Sequence, residues 1–259
     1  MRQYNGILIH RSVVGEDNLD VVDSGSFRSL HFDSASIQSR LLRSDPAELV
    51  IEYTQAMMLA LAYQPAPRRV LLLGLGGGSQ ARFLLKYFPD CHIDAVEISP
   101  SVSELARRFF YLEDSERLCI HHMDGAEYLR THSEQTYDLI LVDAFTRDGP
   151  VDSMFEPKTL NAMYRSLNKN GVCSINSWKD DPYLYAASCH EIQAAFARPL
   201  FDISLTDDPE NIVLLIPMQT LATKQLLRNS KHIQKQTGLK LLKHLKNLAE
   251  LEVNEASKQ

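Results

Sequence analysis

The chain has 259 residues, is 44% hydrophobic and carries a formal net charge of −6. That charge argues against a dedicated nucleic-acid binder, and no apolar run approaches the ~20 residues that span a bilayer. The length fits one large domain, or a main domain with a small appendage.

The opening "MRQYNGILIHRS" lacks the basic-then-apolar layout of a secretory leader. Four cysteines, Cys91, Cys119, Cys173 and Cys189, lie far apart without a CxxC. Each falls in a segment read as strand or helix, so buried free thiols in a reducing cytoplasm are expected. No metal-ligand spacing is read, and no metal is expected.

Residues 4–40 read as β structure. "GILIH", "NLDVVD" and "FRSLHF" are strand-like, and "VGEDN" and "DSGS" between them carry turn chemistry. "PAELVIEYTQAMMLALA", 46–62, reads as a helix with proline in its first turn. Strands then follow at 70–74, 92–98, 117–122, 137–143 and 171–176. Helices follow at 79–88, 100–112, 124–132, 156–168 and 182–197. This alternation implies a parallel, doubly wound α/β sheet. "FDISLTDDPENIVLLIP", 201–217, reads as an antiparallel hairpin at the sheet edge. Five βα units ending in such a hairpin point to the Rossmann-like fold of S-adenosylmethionine-dependent transferases. The last forty residues, with eight Lys/Arg against three Glu, read as amphipathic helices interrupted at Gly238. The division expected is an N-terminal β-hairpin domain (1–45), a nucleotide-binding domain (46–219) and a C-terminal helical extension (220–259).

"VLLLGLGGGSQARFLLKYFP" places Gly74, Gly76, Gly77 and Gly78 between a buried strand and a helix. Backbone without side chains lets a ligand approach the free N–H groups of the next helix. A tight turn without a ligand would look the same. In "IDAVEIS", Glu97 ends the second strand, where a carboxylate can accept both ribose hydroxyls. In "HHMDGAEYL", Asp124 follows the third strand, placed either to meet an adenine amino group or to cap the next helix. In "YDLILVDAF", Asp143 leaves the fourth strand for the crevice.

These stretches resemble the spermidine synthase family, the polyamine aminopropyltransferases, over about residues 4–217. "YNGILIHRSVVG" is similar to the family's first hairpin, "GLGGGSQAR" to "GGGDGGVLR", "AVEIS" to "VEID", "MDGAEYL" to "GDGxxFL", and "YDLILVDAF" to "YDVIIVDSS". The resemblance implies a small N-terminal β domain ahead of a Rossmann-like domain. It implies decarboxylated S-adenosylmethionine as donor and aminopropyl transfer to a diamine or polyamine. Gln38 and the glycines would lie on the donor side, Glu97 would hold the ribose, and Asp124 with Gly125 the adenine. Tyr53 would lie on the substrate side, and Asp143 would orient and deprotonate the amine. A homodimer is implied as well.

The chain departs from the family at four places. Gly77 stands where the family has a loop Asp, Thr146 where it has a second active-site Asp, and Thr54 where it has Gln. The turn "TDDPEN" holds no Tyr. Asp148, Asp180, Asp181, Asp207 and Asp208 are candidate replacements for the missing acids. Three further readings stay open beside aminopropyl transfer. One is methyl transfer from intact S-adenosylmethionine, since an acid at 77 would repel the methionine carboxylate. Another is a non-catalytic nucleoside binder. The last is a nicotinamide-dependent oxidoreductase, which leaves Asp124 and the hairpin unexplained.

Overall fold

The computed structural model describes residues 4–14, 17–33, 35–132, 134–146, 149–208 and 211–251. Four antiparallel strands, β1 (Ile7–Val14), β2 (Asp17–Ser24), β3 (Phe27–Phe32) and β4 (Ser39–Leu42), form a meander in chain order. The polar turns that separate these apolar runs leave only neighbour-to-neighbour pairing. Leu19, Val21, Leu30 and Leu41 project from one face and bury against Val102, Leu105 and Phe110 of the second layer. The strand "SRLL" carries the β region two residues past the 4–40 anticipated from the sequence.

The helix expected over 46–62 is shorter and broken. Asp45 takes Pro46 into a turn instead, accepting from Ala47 N through its carboxylate and from Glu48 N through its carbonyl. Helix α1 (Glu52–Met57) follows the extended N-cap Ile51, and α2 (Ala60–Tyr63) follows a tighter turn in which Leu59 N bonds Ala56 O. Residues 56–62 are fully buried, so this break sits in the core.

Then come β5 (Arg69–Leu73), α3 (Ser79–Tyr87), β6 (His92–Val96), α4 (Pro100–Phe109), β7 (Leu118–His121), α5 (Gly125–Thr131) and β8 (Tyr137–Val142). A two-residue pair, β9 (Phe145–Thr146) with β10 (Gly149–Pro150), precedes α6 (Pro157–Arg165), β11 (Leu167–Trp178) and α7 (Pro182–Phe196). The end comprises β12 (Phe201–Ser204), β13 (Asn211–Pro217), α8 (Thr223–Thr237), α9 (Leu241–Lys246) and β14 (Leu248–Glu250). Proline at N1 with a side-chain cap marks two helix starts. Ser99 accepts from Val102 N, and Asp181 accepts from Tyr183 N and Leu184 N.

The large sheet runs β14-β12-β13-β11-β8-β5-β6-β7. Its β11, β8, β5, β6 and β7 are parallel, and β13, β12 and β14 antiparallel. Strands β5 and β8 are apolar on both faces because both faces are covered. Val70, Leu72, Leu139 and Leu141 enter one core, while Leu71, Leu73, Ile140 and Val142 enter the other. The hairpin β12–β13 is not the edge anticipated from the sequence, because β14 pairs with β12 outside it. A three-residue strand following a helix carries too little periodicity to read. Cys119 also departs from expectation: it is exposed on β7, while the other three cysteines are buried and free. No helix among the described residues is long and apolar enough to cross a membrane.

Candidate active site

The parallel strands open their carboxyl ends into a cavity of about 1230 Å³, roofed by β4, α1 and the loop after β12. Gln38, Tyr53, Gly74, Gly76, Glu97, Asp124, Gly125 and Asp143 all reach its wall, from widely separated segments.

Gly74 adopts φ +99°, and a Cβ there would lie 2.2 Å from the Asp143 carbonyl oxygen. Only glycine lets β5 turn away against the end of β8. Gly78, left-handed at φ +75°, begins α3. Gly77 is packed inward: a Cβ would come within 2.6 Å of Ser39 Oγ and 3.0 Å of the buried Phe110 ring. A side chain at 77 would therefore displace β4 and the end of α4. Arg82, buried on α3, donates to the carbonyls of Gly77 and Pro46 and fixes the loop from beneath.

Glu97 receives Leu75 N at 3.2 Å and Gly76 N at 3.4 Å on Oε2, and Ser99 N at 3.0 Å on Oε1. It ties the glycine loop to β6. Helix α4 is capped by Ser99, leaving Glu97 free of that task. Asp124 does cap α5, accepting Glu127 N at 2.9 Å on Oδ1. Its second oxygen makes no such bond among the described residues, and the residue still reaches the cavity.

Asp143, at the end of β8, gathers three side-chain donors. Asn176 Nδ2 donates to Oδ1 at 2.9 Å, and Tyr53 Oη and Gln80 Nε2 donate to Oδ2 at 3.2 and 3.4 Å. Burial pushes the Asp143 carboxyl up to about 6, against the opposing pull of the Asn176 and Tyr53 hydrogen bonds. Burial, and then the Asp143 charge, push the Tyr53 phenol well above its ordinary value, so it remains a donor. Asn176 Oδ1 is buried and has no hydrogen-bond partner among the described residues, on a residue that faces the cavity. Buried acceptors are rarely left so.

Glu52 is the main addition that the sequence did not disclose. It accepts Thr206 N at 2.8 Å, Asp207 N at 2.6 Å and Thr206 Oγ1 at 3.0 Å, and pairs with Lys243 of α9 at 2.5 Å. Burial works against its ionisation, yet Lys243 and these amides hold its carboxyl down at about 2. The loop it grips carries Asp207 and Asp208 to the cavity wall. Phe145 and Trp178, with ring centres 5.7 Å apart, add aromatic surface nearby. Among the described residues, six carboxylates (Glu52, Glu97, Asp124, Asp143, Asp207, Asp208) line the cavity against one cation, Arg40.

Thr146 sits in β9, paired with Gly149. Asp180 does not line the cavity, and Asp181 caps α7. Asp148 lies outside the described residues. Gln80 was legible only as a helix residue, and Glu52 and Asn176 only as polar residues in apolar runs. Nothing local signalled that they converge.

The family model for the spermine/spermidine synthase domain matches residues 51–234. A polyamine aminopropyltransferase of Chromobacterium violaceum is 37% identical over 67% of this chain and 66% of its own, so the chain spans just under two thirds of that relative. Among solved structures, a spermidine synthase in complex with the transition-state analogue AdoDATO superposes with a TM-score of 0.74. It is 19% identical, covering 93% of this chain and 85% of that one. Human methyltransferase-like protein 13 in complex with SAH gives 0.67 at 27% identity, covering 73% and 93%.

Proposed function

Because the chain belongs to the spermine/spermidine synthase family, we propose that it transfers an aminopropyl group from decarboxylated S-adenosylmethionine to a diamine or polyamine. The observation that carries this reading is the acid-lined cavity whose wall holds the Asp143 carboxylate, its pKa raised by desolvation. Both reactants are cations, a sulfonium and an ammonium, and both gain from carboxylates and aromatic faces in a desolvated cleft.

In this reading Glu97 accepts the ribose hydroxyls with the lone pairs its backbone partners leave free. Asp124 uses its second oxygen for the adenine amino group, and Gln38, Gly74, Gly76 and Gly125 frame the nucleoside. Asp143 holds the incoming ammonium, with Asn176 Oδ1 as a second acceptor. An ammonium has no lone pair, so it must first lose a proton, and ionised Asp143 is placed to take it. The free amine then attacks the carbon beside sulfur. The C–S electrons return to sulfur, leaving methylthioadenosine and a lengthened amine. In-line positioning supplies much of the remaining acceleration. Asp207 and Asp208 are set to hold the distal amino group in place of the family acid replaced by Thr146.

A second reading, methyl transfer from intact S-adenosylmethionine, is favoured by one feature. The inward packing of Gly77 leaves no carboxylate there to repel the methionine carboxylate. The exposed Ile7, Leu8 and Val13 of β1 support a homodimer, and the four free cysteines support a cytoplasmic setting.

The test is turnover of an amine panel with each donor, read by mass spectrometry. Lengthened amine with methylthioadenosine supports the first reading. Methylated product with S-adenosylhomocysteine supports the second. Nucleoside binding with no turnover would overturn both and leave a non-catalytic nucleoside binder.

A further inference from the structure

Parallel register in the large sheet pairs Asp94 of β6 with Cys119 of β7, and Val96 with His121. Cys119 and His121 are two residues apart on one strand, so their side chains share a face, and Asp94 shares it through its pairing. The intervening Ile93, Ala95, Leu118 and Ile120 all pack in the core on the opposite face. One carboxylate, one thiol and one imidazole thus converge at the outermost parallel strand, with donor atoms all within 4.8 Å of one another.

Three features make this more than a chance grouping. His121 Nε2 lies 3.1 Å from Asp94 Oδ1. A tetrahedral zinc ion at ordinary bond lengths sets such N and O ligands about 3.3 Å apart, so two donors already have the required spacing. Asp94 is also oriented from behind. Arg69 Nη2 donates to its Oδ2 at 3.0 Å and Tyr137 Oη at 3.1 Å, which directs Oδ1 toward His121. The Cys119 thiol is exposed and has no hydrogen-bond partner among the described residues, and the His121 ring is flanked by Tyr128 and His132.

We propose that Asp94, Cys119 and His121 form a Zn²⁺ site on the β7 edge, separate from the cavity. A thiolate with an imidazole selects zinc over magnesium or calcium, and water completes the fourth position. On binding, the Cys119 thiol gives its proton to solvent and a Zn–S bond forms. The ion then cross-links β6 to the strand at the end of the sheet.

The test uses the full chain, stripped with chelator and titrated with zinc alone against a chromophoric competitor. One equivalent should bind, and cobalt in its place should give a thiolate-to-metal absorption band. Cys119→Ser should abolish that band, and Cys119→Ser and His121→Ala should each weaken zinc at least about tenfold. Zinc should raise the melting temperature of the wild type and not that of Cys119→Ser. No binding above the competitor overturns the proposal. So does zinc binding that survives both substitutions, or that is lost only with Asp143→Asn, which would place the ion in the cavity.

Discussion

Asp143→Asn separates the electrostatics of the cavity from its chemistry. In the folded chain the Asp143 carboxyl stands at about 6, against an ordinary carboxyl value of 3.8, and burial is the leading cause. A raised acid pKa means that the folded chain binds more protons than the unfolded one between those values. Stability therefore falls as pH rises from about 4 to about 6, and the full penalty persists above. The interval corresponds to about 3 kcal/mol. An amide carries no charge and escapes this penalty. It also turns an N–H toward groups that now donate, Asn176, Tyr53 or Gln80, which costs about 1–2 kcal/mol. The variant should fall about 1 kcal/mol below wild type at pH 4 and exceed it by about 1–2 kcal/mol at pH 8. Denaturant unfolding of both proteins across this range measures the difference. A difference independent of pH would refute the raised pKa. Turnover is the second readout: losing the proton acceptor should cost about 10²–10⁴-fold, with methylthioadenosine binding preserved. Undiminished turnover would remove Asp143 from the chemistry.

The wild-type kcat/KM should fall tenfold per unit below about pH 6, as Asp143 takes up a proton; a profile flat to pH 5 contradicts this. Glu97→Ala should weaken methylthioadenosine by about 1.5–3 kcal/mol in calorimetry, the range for a charged hydrogen-bond partner. Gly74→Ala forces a Cβ onto the Asp143 carbonyl at a left-handed φ. It should cost about 3–5 kcal/mol and lower the melting temperature by about 10 °C. Glu52→Ala strands the Thr206 and Asp207 amides. It should raise the acceptor KM severalfold while donor affinity, measured by calorimetry, stays unchanged. Lys243→Ala, which removes the half-exposed partner of buried Glu52 and leaves the loop amides in place, should do the same more weakly.

Local sequence determined the elements and the polarity of the sheet. Short apolar runs such as "VLLL" and "LILV", bounded by turn and loop residues, read as strands covered on both sides. The glycines, Glu97, Asp124 and Asp143 each follow the carboxyl end of a strand, so parallel order alone brings them to one edge. What depended on distant partners was not legible. The turn at Asp45 displaced a helix that periodicity supported, because one Asx turn outweighs weak propensity. Strand β14 exists only because β12 offers an unpaired edge. Glu52 lies in an apolar helix, and its grip on residues 206–207 and Lys243 spans more than 150 positions of chain. Asp94, Cys119 and His121 fit no metal-ligand spacing, since strand register, not sequence distance, places them together. Periodicity reports which face a residue takes; which other residues share that face is decided by pairing between strands, and that information is not local to either strand.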